Sequence, residues 1–206
     1  MKFIKDIYIA LLNLFNYPYI SKELLNLKGP ILLHISDTPV DIYKYIFRIV
    51  DILKPEFIVH TGDLADNIKL EIYKDRIDPY FKGVKKLIKG LEKYEYSKNY
   101  YVLGNHDDYE TVSQLTDRGI ILQEGILLID NCSLTVGHYY KEISYKVDFN
   151  LYGHDFEPNY EKNETIGLNG LLNINIIDLS TKKVFHLKYP IGTNTARGME
   201  LKRTGL

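Results

Sequence analysis

Five short segments bring together side chains able to do chemistry: ISDTP at 35–39, TGDLADN at 61–67, LGNHDD at 103–108, VGH at 136–138 and YGHDF at 152–156. Each places Asp, Asn or His directly after an apolar run, beside Gly or another turn-forming residue. Carboxylate, carboxamide and imidazole are side chains that bind divalent cations and, at neutral pH, move protons. Taken singly they have plain structural readings. Asp37, Asp63 and Asp66 fit helix caps or turns, and Gly104-Asn105 fits a turn. Taken together, in order, they read as a metal centre, with His138 chosen because it ends a strand after Gly137. His34 and His60 lie inside apolar runs and read as hydrogen-bonded core residues. His186 belongs to a late hairpin outside the series.

The apolar patterning supplies the elements that must position these groups. ILLHI at 31–35, FIVHT at 57–61 and YYVL at 100–103 are short, β-branched or aromatic runs that stop at polar loops, as buried parallel strands do. Amphipathic helices are predicted over 40–53, over 68–94 with an interruption near Pro79, and near 109–117. This alternation brings the first three loops to one edge of a parallel sheet, where α/β proteins place their ligands. Strands then follow closely at 126–130, 133–138, 149–154, 171–179 and 183–189, which implies a second, antiparallel or mixed sheet packed on the first.

The loops resemble those of the calcineurin-like metallophosphoesterase superfamily, whose pattern is D-x-H, G-D-x-x-D, G-N-H-D/E, a lone His, and G-H-x-H. The resemblance runs from about residue 30 to 190 and is carried most specifically by GDLAD at 62–66 and GNHDD at 104–108. It implies an α/β fold: a four-layer α/β/β/α sandwich with two mixed β-sheets. It also implies a two-metal centre, with Asp63 bridging both ions and Asn105, His138 and His154 completing one site. The other site would take Asp37, Asp63 and two histidines that this chain lacks, having Pro39 and Phe156 instead. His106 matches the residue that stabilises the transition state or acts as general acid, and Asp107 is taken with it as the second catalytic position. Asp66 and Asp107 are also candidates for orienting loop groups. The intact site suits Mn2+, Fe2+, Ni2+, Co2+ or Zn2+, and the degenerate all-oxygen site suits weak Mg2+ or nothing. In extended backbone Thr38 and Asp155 would face away from the metals.

The implied activity is hydrolysis of a phosphomonoester or phosphodiester, including nucleotide-type substrates, by metal-activated water. The alternative is a catalytically silent scaffold of the same fold that binds protein, which would have no need of His106. Composition narrows the partners. With 26 basic and 27 acidic residues the formal charge is -1, so no global field collects nucleic acid or anionic membrane. The lone Cys132 excludes an internal disulfide and suits the cytoplasm. KGVKKLIKGLEK at 82–93 reads as a solvated helix face, and of the 18 tyrosines only Tyr139, Tyr140 and Tyr152 stand beside ligand loops. Residues 1–29 read as an amphipathic leader helix that docks onto the domain or, as the alternative, contacts a partner or membrane surface through residues 1–20. Residues 30–190 form the domain, and 191–206 a loose polar tail.

Overall fold

The computed structural model describes residues 9, 11, 12 and 15–199. Eleven strands form two sheets, and five helices among the described residues pack around the first sheet and beside its loops. The strands are β1 (Ile31–Ile35), β2 (Phe57–Thr61), β3 (Lys98–Val102), β4 (Ile120–Leu122), β5 (Gly125–Ile129) and β6 (Cys132–Val136). They continue as β7 (Phe149–Tyr152), β8 (Tyr160–Lys162), β9 (Thr165–Asn169), β10 (Ile174–Asp178) and β11 (Lys183–Leu187). The helices are α1 (Lys22–Leu25), α2 (Tyr43–Leu53), α3 (Ile77–Glu92), α4 (Tyr109–Leu115) and α5 (Thr193–Ala196).

The first sheet runs β11-β10-β1-β2-β3-β4, with β1 to β4 parallel and β10 and β11 antiparallel. The second runs β5-β6-β7-β9-β8, parallel through β6, β7 and β9 and antiparallel at both edges. Both are mixed, as expected. Alternation along each strand divides the core in two. Leu33, Ile58, Tyr101 and Ile176 face α2 and α3, while Leu32, Val59, Val102 and Ile177 meet Leu134, Phe149, Leu151 and Leu168 of the second sheet. In α2, Ile46, Ile49, Val50 and Leu53 recur every three or four residues and bury one stripe. The lysines of α3 stay on its solvent face, as their spacing predicts.

One expectation is corrected by local chemistry, and one hairpin was not anticipated. The helix predicted over 68–94 begins only at Ile77, because Lys69 takes a left-handed backbone (φ 52°) and Pro79 sits in the first turn, where its missing N–H costs nothing. The hairpin of β8 and β9 turns at Asn163 and Glu164, both at positive φ, and completes the second sheet without any alternating apolar signal. Beside that sheet Tyr140, Tyr152 and Tyr160 form a cluster of rings. Residues 1–8, 10, 13 and 14 of the expected leader helix lie outside the described residues, and, since 17–21 are non-helical and α1 spans only Lys22–Leu25, the leader is not one continuous helix. Its end docks on α2, where Arg48 donates to the carbonyls of Phe15 and Asn16 and stacks on Tyr17. No described helix is long and apolar enough to cross a membrane.

Candidate metal centre

Parallel strands put their carboxyl ends on one edge. Asp37 follows β1, Asp63 follows β2, Asn105 and His106 follow β3, and His138 and His154 follow β6 and β7 of the second sheet. The strand-to-loop turns are sharp: Asp37, Asp63 and His154 have φ of 51°, 56° and 70°, in the left-handed region that disfavours residues other than Gly. Such strain persists where surrounding contacts over-determine it. Here the loops touch. A Cβ on Gly62 would lie 2.4 Å from His138 Nδ1, and one on Gly104 would lie 2.3 Å from Asp63 Oδ1, so only glycine allows the approach.

His138 is the pivot. Its Nδ1 donates to the Thr61 carbonyl at 2.7 Å, which leaves the Nε2 lone pair pointing into the cluster. Around Nε2 stand Asn105 Oδ1 at 3.0 Å, His154 Nδ1 at 3.1 Å and Asp63 Oδ2 at 3.6 Å. The Asn105 amide nitrogen donates to Glu71, so its oxygen is the atom turned inward. Electron pairs of an amide oxygen, an imidazole and a carboxylate thus face one another in a buried space, an arrangement that a cation relieves. The donor set fits a divalent ion, and Asp63, His138 and His154 offer ligand atoms all within 4.8 Å of one another. The Tyr139 ring packs on both imidazoles, at 4.4 Å from His154 and 4.9 Å from His138.

Electrostatics point the same way. Burial pushes the Asp63 carboxyl well above the usual carboxylate range, reinforced by the nearby Asp107, Asp37 and Asp66. Asp66 and Asp107 are likewise raised, mainly by burial. His106 and His154 are lowered, each chiefly by burial. The imidazoles, held neutral, keep a lone pair for a cation, and a bound ion would displace the protons that burial favours on the carboxyls.

Asp107 does not face the cluster. Its Oδ2 accepts from the Asp63 and Gly104 amides at 2.7 and 2.8 Å, and its Oδ1 from the Leu64 amide and the Tyr80 hydroxyl, both at 2.9 Å. It therefore ties the β2 loop to the β3 loop. The geometry assigns it to positioning, in place of the catalytic role expected from its neighbour His106. His106 lies beside the ligands: its amide donates to Asp63 Oδ1 at 3.0 Å and its ring Nδ1 is 3.7 Å from Glu71 Oε2.

Asp37 stands apart from the His138 group. Its Oδ2 accepts the His154 amide at 3.0 Å, and its Oδ1 is buried without a hydrogen-bond partner. Thr38 faces away, bonded to His60 Nε2 at 2.9 Å and the Leu64 carbonyl at 3.0 Å. Pro39 is buried, and Phe156 is turned outward at 46% exposure. Behind this side lies Arg197, which sequence reasoning missed in a tail expected to be loose. Only 1% exposed, it donates to the carbonyls of Asp37 (2.7 Å), Leu171 (2.8 Å) and Ser36 (3.4 Å) and stacks on Tyr189 at 4.5 Å. Phe156 and Arg197 line one 350 Å³ cavity together with Thr193 to Thr195. His34 and His60 are core residues as expected, both fully buried, with pKa lowered by that burial to about 3. His186 bonds Asn175, away from the site.

The family follows from this arrangement and from a direct match: residues 31–194 fit the calcineurin-like phosphoesterase family, and the chain belongs to it. No protein of curated function matches. Among solved structures, the chain is similar to Yfce, a phosphoesterase from E. coli, at 15% identity and TM-score 0.51, covering 78% of this chain and 99% of that one. Another solved chain aligns with TM-score 0.57 at 10% identity, over 79% of this chain and all of the other. Pseudomonas putida nuclease MPE aligns more loosely, at TM-score 0.40 and 12% identity, over 76% of this chain and 87% of its own. At these identities the likeness is one of fold.

Proposed function

We propose that this protein is a hydrolase of phosphomonoesters or phosphodiesters, nucleotide-type substrates among them, with one well-formed metal site at Asp63, Asn105, His138 and His154. The observation that carries the reading is the Nε2 of His138, opposite the nitrogen bonded to Thr61, facing the oxygens of Asn105 and Asp63 beside the imidazole of His106. A divalent ion bound there, such as Mn2+, Fe2+, Ni2+, Co2+ or Zn2+, lowers the pKa of coordinated water towards about 7 and withdraws charge from phosphate oxygens.

The chain's own residues do the rest. Asp107 fixes the two loops that carry Asp63 and Asn105, and Thr61 fixes the His138 tautomer. His106, held neutral by burial in the free protein, gains a proton more readily once an anionic phosphoester lies beside it, and passes it to the leaving oxygen. Tyr139, 42% exposed, offers a ring for the organic part of the substrate. Asp37 borders the degenerate position, which holds Mg2+ weakly or stays without metal. The buried free thiol of Cys132 is compatible with a reducing cytoplasm.

The test is hydrolysis of p-nitrophenyl and bis-p-nitrophenyl phosphate with Mn2+, Ni2+ or Mg2+. Turnover is expected with at least one ion and a loss of about 100-fold in His106→Asn, within the range of general acid–base catalysis. A second reading, a silent scaffold that binds protein, draws on Pro39 and Phe156 and on the exposed Ile126 and Leu128 of edge strand β5, 64% and 73% accessible. Absence of turnover with every ion, in wild type and variant alike, would favour it.

A further inference from the structure

We infer that the ammonium group of Lys69 forms a phosphoryl-binding position beside the metal cluster, supplying from the chain itself positive charge that the Asp37 flank, with Pro39 and Phe156 in place of ligands, holds only weakly. The inference rests on the proposed function in that the anion is the substrate's phosphoryl group.

Lysine side chains ordinarily reach into water. Lys69 does not. It stands between Ile68 and Leu70, both buried, in a loop tied down by Asn67, whose Oδ1 accepts the Val40 amide at 3.0 Å. Its side chain keeps only 20% of its surface exposed. Its backbone is left-handed, φ 52°, a form that a non-glycine residue keeps where its surroundings demand it. The Lys69 carbonyl accepts the amides of Ile72 and Tyr73 at 3.0 and 2.9 Å, which closes the turn and fixes where the side chain starts.

That side chain runs towards the centre. Nζ donates to Oδ1 of the fully buried Asp66 at 2.5 Å, and a carboxylate oxygen of Asp66 lies within 4.8 Å of one of Asp63 and of a ring nitrogen of His106. A single carboxylate therefore separates the ammonium from a proposed metal ligand and from the proposed proton donor. Its charge is felt by both imidazoles: the pKa of His106 is lowered by burial and then by Lys69, and that of His154 by burial, by His138 and also by Lys69. Arg197, which also acts on Asp66, is 1% exposed and directs its hydrogen bonds to the Ser36, Asp37 and Leu171 carbonyls and to Asn194, so it has no face to offer a ligand.

An ammonium carries three N–H donors, and among the described residues only Asp66 takes one. The others are open to phosphoryl oxygens, which lysine holds as a point charge. In two-metal enzymes the second ion withdraws charge from oxygens that the first does not reach. Lys69 does so with a proton that it keeps throughout. A monoester dianion gains more from that charge than a diester monoanion, so Lys69 biases the site towards phosphomonoesters.

The test uses the full chain loaded with Mn2+, with inorganic phosphate as the probe and its binding read by titration calorimetry and by broadening of the phosphorus resonance. Lys69→Asn removes the charge but keeps a residue that tolerates left-handed backbone, and Lys69→Arg keeps the charge. Phosphate affinity should fall about 10- to 100-fold in Lys69→Asn, the range for a hydrogen bond to a charged group, and be largely restored in Lys69→Arg. Mn2+ affinity should hold or rise in Lys69→Asn, because a like charge has gone. A lysine that only propped up Asp66 would loosen the ion when lost, so Mn2+ and phosphate affinities that fall together would overturn the inference. Should circular dichroism show that Lys69→Asn has lost its fold, Lys69→Gln, which keeps more of the stem, gives the second reading. The loss in kcat/KM should be larger for p-nitrophenyl phosphate than for bis-p-nitrophenyl phosphate, and equal losses would overturn the bias towards monoesters. Hydrolysis by a wild type whose phosphate affinity is indifferent to Lys69→Asn would overturn the Lys69 position and leave the proposed function standing. Phosphate held through Lys69 without turnover of any substrate would do the reverse.

Discussion

The two flanks of Asp63 are built from loops of the same kind yet have gone different ways. On one, Asn105, His138 and His154 bring donor atoms within 3.6 Å of a common nitrogen or oxygen, and each is held by a hydrogen bond to the scaffold or to a neighbouring ligand. On the other, Asp37 stands beside a proline and an outward-turned phenylalanine, and the space behind it is closed by a buried arginine from the far end of the chain. The lesson is that a ligand loop keeps its backbone form without its ligands when other polar contacts take over the carbonyls. The β1 loop is still pinned by Gly62, His154 and Arg197.

The largest expected separation of the flanks comes from His138→Ala, which removes a direct ligand and one of the two side-chain hydrogen bonds to the Thr61 carbonyl. Mn2+ affinity by titration calorimetry should fall at least ~100-fold, whereas Asp37→Asn should shift it no more than ~10-fold. Equal losses would mean that the two flanks share the first ion. Next is Arg197→Met, which strips hydrogen bonds from buried carbonyls and should cost about 2 to 3 kcal/mol in denaturant unfolding, with a Tm drop of roughly 5 to 10 °C. A change of under about 0.5 kcal/mol would show that the Asp37 flank does not lean on the tail. The smallest effect concerns His60, whose Nδ1 accepts from the Gly62 amide and whose Nε2 meets Thr38, so that it lies under both flanks. Its folded-state pKa of about 3 is below the unfolded value near 6.5, so its unfolded form binds the extra proton, and the stability it allows is lost as pH falls from about 6.5 towards 3. His60→Gln should therefore narrow its stability gap to wild type by about 2 kcal/mol between pH 7 and pH 5. A gap that stays constant would show a histidine already free to ionise.

Much of the donor-rich flank was legible in the sequence because its residues sit directly after short apolar runs, where chain direction and strand polarity fix their place. The same logic separated His34 and His60, inside strands, from His138 and His154, just past them. What escaped was set by contacts distant in sequence. Arg197 lies in a polar stretch with no periodicity, and only Asp37, Ser36 and Leu171 give it meaning. Glu71 reaches the site because the chain leaves helical geometry at Lys69 (φ 52°), which the charged pattern from 68 onward concealed. Asp107 looked like a partner of His106 because it is adjacent in sequence. In the turn after β3, adjacent side chains diverge, and its carboxylate goes to the backbone of the β2 loop.

Arg197 braces Asp37 across 160 positions of sequence. During synthesis this ligand loop is thus finished only after the other ligand loops have been made, because its anchor follows all of them in the chain. Proteolytic nicking, frameshifts or insertions around residues 190–197 would act on that loop from far along the sequence, although none of them touches a ligand.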